Sequence, residues 1–272
     1  MEFVADLAAW SLVLFGALLF VCQMLAYILG HKLGARRRAT RGAGDAEGVG
    51  LVVSSLVALL AFTLALTLSY SSARVSERRA GVLAEATAIG TSFQRAIAIG
   101  HPLGQEIGEL LRQYVGLRRD YVLASRHSPA LDEIDRKSSG LQSRIWEHLS
   151  AIVRERPDDV TASFMESLNA TFDATTAERF AFETKFPYQL LWLLCGMILV
   201  AVASIGFQFG LKGHDMRGLV MLLIGVWTAV LVVIVELSSP RIGAVRTNVA
   251  VYDWTIQMMS ARPSGVSSSA SR

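Results

Sequence analysis

An apolar stretch near residue 60 carries side chains whose types and spacing suit the passage of an ion beside a helix. Phe62, Leu66 and Tyr70 recur every fourth residue, so a helix places them on one face. Polar side chains lie beside and beyond that face: Thr63, Thr67, Arg74 and Arg78. Rings of apolar side chains from several copies of one helix can close a pore by dewetting, and arginines at the mouth attract anions. This is the pattern's functional interpretation.

The same stretch also has a purely structural interpretation. Phe62 and Leu66 would then face lipid or the core of a helix bundle, and the threonine hydroxyls would bond the carbonyl one turn earlier. A strip of small side chains runs along the neighbouring face and predicts close packing of another helix: Ser54, Ala58, Ala61 and Ala65. Both interpretations remain open from the sequence.

Composition places these residues in a membrane protein. Hydrophobic residues make up 52% of the 272-residue chain and charged residues only 18%, which excludes an ordinary soluble domain and a disordered chain. Four apolar runs are long enough to cross about 30 Å of hydrocarbon. They cover roughly residues 7–30, 49–70, 188–210 and 218–237. The net charge of +3 is spread along the chain, so nucleic acid is not an expected partner.

A water-soluble segment separates the second and third runs. Residues 71–187 carry 15 Lys and Arg against 16 Asp and Glu, and their apolar residues recur at helical spacing. Breaks at Gly100-His101-Pro102 and at Ser128-Pro129 divide this segment into helices. The predicted fold is therefore an all-α membrane protein with four transmembrane helices and a large helical insert between the second and third.

The predicted domains follow from these runs. A first membrane hairpin covers residues 1–70, the insert covers 71–187, and a second hairpin with a flanking segment covers 188–258. The small, polar residues 259–272 are expected to be disordered.

Catalytic and metal-binding patterns are missing from the sequence. The five histidines are scattered without metal-ligand spacing, and both cysteines, Cys22 and Cys195, lie in apolar runs. The glycine-rich and serine motifs of nucleotide-binding and hydrolytic enzymes do not occur either. We therefore expect no enzyme activity, no cofactor and no metal site.

Several short segments resemble the bacterial bestrophin-like domain family. They are Leu64 to Ser69, Arg74, Glu77-Arg78-Arg79, Glu85-Ala86, Ile89-Gly90-Thr91, Gly206 to Leu211 and Ser239-Pro240-Arg241-Ile242-Gly243. The resemblance covers about residues 49–258. This sequence departs from the family pattern at Leu66 and Leu68, where aromatic residues are expected, and at Ser238 and Ser239, where acids are expected.

The resemblance implies a layout and a function. Bestrophins are pentameric anion channels with four membrane helices per subunit, a helical cytosolic domain between spans two and three, and a pore lined by span two. The expectation is a self-associating channel for small anions in the bacterial inner membrane, in contact with the lipid bilayer. The alternative is a non-conducting scaffold or sensor whose insert binds a partner or ligand.

The charge distribution and the family resemblance favour opposite orientations of the insert. The Lys and Arg density of loop 31–48 favours a cytoplasmic position for that loop, which would place the N-terminus and the insert outside. The bestrophin resemblance implies a cytoplasmic insert instead. Following the Lys and Arg density, we expect the N-terminus and the insert to lie outside.

Overall fold

The computed structural model describes residues 12–41, 46–124, 128–184, 187–214, 216–239 and 247–261. Every regular element among them is an α-helix. The helices are α1 Leu12–Arg41, α2 Ala46–Ala98, α3 Pro102–Leu123, α4 Ala130–Glu155, α5 Asp159–Glu183, α6 Tyr188–Lys212, α7 Arg217–Ser238 and α8 Ala250–Ser260.

These helices divide between two compact units. The membrane unit contains the described residues up to 75 and those from 187 to 239. The helical unit contains residues 76–184 and 247–261, apart from the undescribed residues between them.

Four helical stretches are long and apolar enough to cross a membrane: Leu12–Thr40, Glu47–Ala98, Asp159–Lys212 and Arg217–Ser238. The third stretch runs across the undescribed residues 185 and 186. Its apolar part is α6, which we take as the third candidate span. The prediction of an all-helical protein with four candidate membrane spans is confirmed for the described residues.

Backbone contacts at glycines pack α1 against α6 in the membrane unit. A Cβ added at Gly30 or Gly34 would collide with the carbonyl oxygens of Ala203 or Phe207 on α6. Gly206 and Gly210 are equally close to carbonyl oxygens of α1. Each helix thus presents two glycines four residues apart, and their lack of a side chain lets the two backbones touch.

Apolar side chains and a few hydrogen bonds complete the membrane unit. Its core includes Leu60 and Leu64 of α2, with side chains of α6 and α7. Gln23 of α1 donates to Thr228 of α7 at 2.8 Å, and the Ser71 and Ser238 hydroxyls lie 2.9 Å apart. Such interhelical hydrogen bonds each stabilise a membrane bundle by roughly 0.6–2 kcal/mol.

Capping residues start and separate the helices of the helical unit. The Leu103 backbone N–H donates to His101 Nδ1 at 3.1 Å, and Pro102 occupies the first turn of α3, where a missing N–H costs nothing. Gly100, with φ +67°, allows the chain to turn between α2 and α3. Asp158 caps α5 by accepting from the Thr161 N–H at 2.9 Å.

The structure differs from the sequence prediction at several boundaries. Span two and the first helix of the predicted insert form the single 53-residue helix α2, because no helix breaker interrupts residues 70–75. Residues 250–260, predicted partly as a hairpin flank and partly as disordered tail, form α8, which belongs to the helical unit and contacts α3. Met259 is fully buried there.

Some predicted features lie outside the described residues. These are the first residues of span one, the Pro240 to Gly243 part of the family resemblance, and the tail from residue 262.

Candidate functional site

The stripe of Phe62, Leu66 and Tyr70 lies on an exposed face of α2. Their exposed fractions are 62%, 55% and 47%, which are high for large apolar side chains. The described helices of the membrane unit leave much of this face uncovered. It therefore contacts lipid, a second copy of the chain, or the water of a pore.

The opposite face of α2 packs into the membrane unit. Leu64 is 4% exposed and Leu60 is fully buried, and both belong to the unit's apolar core. Leu64 and Leu66 are two residues apart, which on a helix separates them by about 200°. The burial pattern thus assigns one face of α2 to the core of the membrane unit, whereas the other face is largely exposed among the described residues.

The threonine hydroxyls beside the stripe bond their own helix. Thr63 Oγ1 donates to the Leu59 carbonyl at 2.8 Å, and Thr67 Oγ1 donates to the Thr63 carbonyl at 2.8 Å. Thr67 is also buried. The hydroxyls thus form the bonds that the structural interpretation expects, and the Thr67 side chain lies inside the chain instead of on the exposed face.

The small-residue strip is exposed in the single chain. All four of its members, Ser54, Ala58, Ala61 and Ala65, have exposed side chains, and the Ser54 hydroxyl bonds the Gly50 carbonyl at 2.9 Å. Among the described residues, no other helix buries this strip. As a packing surface it would have to receive another molecule.

The two arginines that the sequence places at a pore mouth differ in burial. Arg74 is half-buried, whereas Arg78 is only 5% exposed and belongs to the helical unit. The charge of Arg78 acts on Glu178 of α5. Arg78 is therefore a buried side chain, unlike the exposed Phe62, Leu66 and Tyr70.

A buried polar cluster in the helical unit is absent from the sequence prediction. Arg118 Nε of α3 donates to Glu85 Oε1 of α2 at 2.6 Å, and both side chains are almost fully buried. The Tyr252 hydroxyl of α8 donates to the other Glu85 oxygen. The Arg118 guanidinium also lies over the Tyr121 ring, 4.5 Å from its centroid. Three helices thus converge on the Glu85 carboxylate.

A second set of hydrogen bonds extends this cluster. The Tyr114 hydroxyl donates to Thr175 Oγ1 at 2.8 Å and accepts from Gln142 Nε2 at 2.7 Å. Burial raises the pKa of the Tyr252 phenol far above its ordinary value, and the Glu85 charge raises it further. The phenol therefore remains a hydrogen-bond donor throughout the physiological pH range.

A sequence signal for this cluster exists. Arg118 occurs between Tyr114 and Tyr121 on the apolar stripe of α3, and Glu178 occurs between Thr175 and Phe182 on the buried face of α5. A charge on the apolar face of an amphipathic helix indicates a buried partner, because an isolated buried charge is too costly. Within the described residues, no group of three His, Cys, Asp or Glu side chains is placed to hold a metal ion.

Comparison with solved structures identifies the architecture. The fold is similar to that of a variant bacterial bestrophin homologue from Klebsiella pneumoniae, with a TM-score of 0.64 and 12% identity, over 88% of this chain and 95% of that one. A second structure of a Klebsiella pneumoniae bestrophin homologue gives a TM-score of 0.62 and 13% identity, over 88% and 96% of the two chains.

A third similar structure is a variant of a membrane protein, with a TM-score of 0.66 and 13% identity, over 88% and 97% of the two chains. No protein-family model and no curated protein matches the sequence. The bestrophin-like fold expected from the sequence motifs is confirmed by these neighbours.

Proposed function

We propose that this protein is a homo-oligomeric membrane channel that passes small anions, with α2 lining the path. The observation that carries the proposal is the exposed stripe of Phe62, Leu66 and Tyr70 on a helix whose other face is packed into its own bundle. Several copies arranged about an axis would turn this stripe into stacked apolar rings.

The bestrophin-like fold supports the proposal. The solved neighbours are bacterial bestrophin homologues, and bestrophins are the anion channels that the sequence motifs resemble. In the proposed layout, the helical unit is a soluble insert between the second and third spans, joined by α8. The subunits associate as a ring, which we take to be a pentamer by analogy with bestrophins.

The residues of the path have distinct proposed roles. Phe62, Leu66 and Tyr70 form the constriction, Thr63 borders it, and Arg74 attracts anions at the mouth. We leave Thr67 and Arg78 out of the path because the chain itself buries both side chains. The Ser54 to Ala65 strip is proposed as a contact between neighbouring copies, since small residues allow close approach.

The protein is proposed to reside in the bacterial inner membrane with its insert outside. Cysteine labelling tests this orientation at Ser139, which is exposed on α4. Ser139→Cys, with Cys22 and Cys195 replaced by serine, should react with a membrane-impermeant maleimide on intact cells. Reaction only after lysis would place the insert in the cytoplasm, as in bestrophins.

Recording from the purified protein in a planar bilayer under a chloride gradient tests the channel itself. Leu66→Ala widens one apolar ring, so the variant should show a higher open probability than the wild type. Leu222→Ala is the matched control, because Leu222 is exposed on α7, outside the proposed path. Discrete anion-selective openings that only Leu66→Ala alters are the expected result.

Two results would contradict the proposal. Equal effects of the two alanine variants would remove Leu66 from the constriction. No openings from any preparation that is folded and oligomeric would instead favour a scaffold or sensor whose insert binds a partner.

A further inference from the structure

A second buried carboxyl group lies close to the Glu85 cluster in the helical unit. Glu178 of α5 has no exposed surface, and neither carboxyl oxygen has a hydrogen-bond partner among the described residues. One of these oxygens lies against α2, where a Cβ at Gly81 would collide with it. The absence of a side chain at Gly81 provides the space that the carboxyl group occupies.

The charges around Glu178 come from three helices. Helix α2 provides Arg78 and Glu85, helix α3 provides Arg118, and helix α8 provides the Tyr252 phenol. The neighbouring Arg179 on α5 pairs with Asp135 of α4, at 3.1 Å, on a partly exposed side of the helix. Glu178 is thus surrounded by two cations, one competing carboxyl group and a phenol.

The two buried glutamates differ in how they are satisfied. Both Glu85 oxygens accept hydrogen bonds, one from Arg118 and one from Tyr252. Neither Arg78 nor Arg118 donates one to Glu178, since both Glu178 oxygens are unpartnered within the described part of the chain. A buried carboxylate without donors is strongly destabilising, whereas the neutral acid is tolerated.

We propose that Glu178 is a proton-binding site of the helical unit, occupied in the folded protein at neutral pH and emptied as the pH rises. Loss of the proton places a second, unpartnered negative charge beside Glu85 in the core. The resulting repulsion loosens the packing of α5 against Gly81 and its neighbours on α2. This inference does not depend on conduction by the protein.

The electrostatics agree with that geometry. The pKa of Glu178 is raised from 4.5 to about 8; burial is the largest cause, the Glu85 charge adds to the rise, and the Arg118 and Arg78 charges oppose it. Between these two values the folded protein holds a proton that the unfolded chain has released. Stability therefore falls as the pH rises from about 4.5 to about 8 and is independent of this group above that range.

Infrared difference spectroscopy of the full-length protein in detergent detects the proton directly. Between pH 6.5 and pH 9, the wild type should lose the carbonyl stretch of a neutral carboxylic acid, because ordinary Asp and Glu side chains have already ionised at the lower pH. Glu178→Gln should remove this signal. Glu166→Gln, on the exposed face of the same helix, should leave it unchanged.

Thermal unfolding of the same three proteins tests the consequence. At pH 8.5, Glu178→Gln should melt at a higher temperature than the wild type, because glutamine resembles the neutral acid, and at pH 5 the two should melt together. Glu166→Gln should follow the wild type at both pH values.

Several outcomes would overturn the proposal. If the wild type shows no carboxylic acid that titrates above pH 6.5, the proposal is overturned, whether or not Glu178→Gln folds. A signal that persists in Glu178→Gln assigns the proton to another group. Parallel pH dependence of the melting temperatures of Glu178→Gln and the wild type removes the link between the proton and stability.

Discussion

The helices of the membrane unit and those of the helical unit are held together by different interactions. In the membrane unit, the glycines at 30, 34, 206 and 210 bring two helices into backbone contact. In the helical unit, an arginine and a tyrosine from two other helices both donate hydrogen bonds to the buried Glu85 carboxylate. The first unit depends on shape, whereas the second depends on shape and on charge pairing.

The surroundings proposed for each unit, lipid for the membrane unit and water for the helical unit, account for this difference. Lipid tails are as apolar as leucine, so helices in a membrane gain little by burying leucine and rely on close packing and a few hydrogen bonds. In water, the surroundings proposed for the helical unit, apolar burial is favourable and offsets the cost of burying the ion pair, in which both Glu85 oxygens accept a hydrogen bond. Substitutions should therefore disrupt the two units in different ways.

Gly206→Ala should have the largest effect. The added methyl group collides with the Tyr27 carbonyl oxygen. Because this oxygen belongs to the backbone of α1, it cannot rotate away as a side chain can. We expect a loss well above the about 1–3 kcal/mol that overpacking typically costs, and larger than that of the other substitutions below. Gly196→Ala, on the same helix with open space around it, should be tolerated. Size-exclusion chromatography in detergent and thermal unfolding measure both, and equal behaviour of the two variants would contradict the backbone contact.

Arg118→Met tests the charge pairing of the helical unit. It leaves the buried Glu85 carboxylate without its cation, which typically costs about 3–5 kcal/mol. Lys137→Met breaks the exposed pair with Glu133, which joins the two side chains at 2.6 Å, and should cost only about 0–1 kcal/mol. The melting temperature of each variant distinguishes these cases. A similar small shift for both would show that the Glu85 cluster is not buried as described.

Ser71→Ala should have the smallest effect. The variant loses the contact with the Ser238 hydroxyl on α7, and a membrane hydrogen bond of this kind contributes about 0.6–1.7 kcal/mol. Ser55→Ala is the matched control on α2, because the Ser55 hydroxyl bonds the Leu51 carbonyl of its own helix. A Ser71→Ala melting temperature no lower than that of Ser55→Ala would show that the interhelical bond contributes nothing.

Local signals predicted much of the helical architecture. Each apolar run lies within one observed helix over its described residues, and the Gly100-His101-Pro102 and Ser128-Pro129 breaks lie within a few residues of observed helix ends. The patterns Gly30-x-x-x-Gly34 and Gly206-x-x-x-Gly210 are also typical of close helix packing in membranes, although the sequence prediction did not include this packing. These features depend only on residues near one another in the chain.

The buried cluster depended on information from distant segments. Glu85, Arg118, Glu178 and Tyr252 belong to four helices, and no spacing rule links residues so far apart. Helical periodicity marked the stripe of Phe62, Leu66 and Tyr70 but not whether it faces inward or outward. That distinction came only from the packing of Leu60 and Leu64 into the membrane unit.

Cysteine accessibility along α2 tests most directly whether the exposed face lines an ion path. In a protein with Cys22 and Cys195 replaced by serine, Leu66→Cys and Leu64→Cys are compared while a charged, thiol-reactive methanethiosulfonate reagent is applied during anion current recording. The proposal predicts rapid modification and a changed current for Leu66→Cys, and no change for Leu64→Cys, whose position is 4% exposed. A current altered through Leu64→Cys, or unaltered through Leu66→Cys despite confirmed modification, would contradict the assignment of this face to the path.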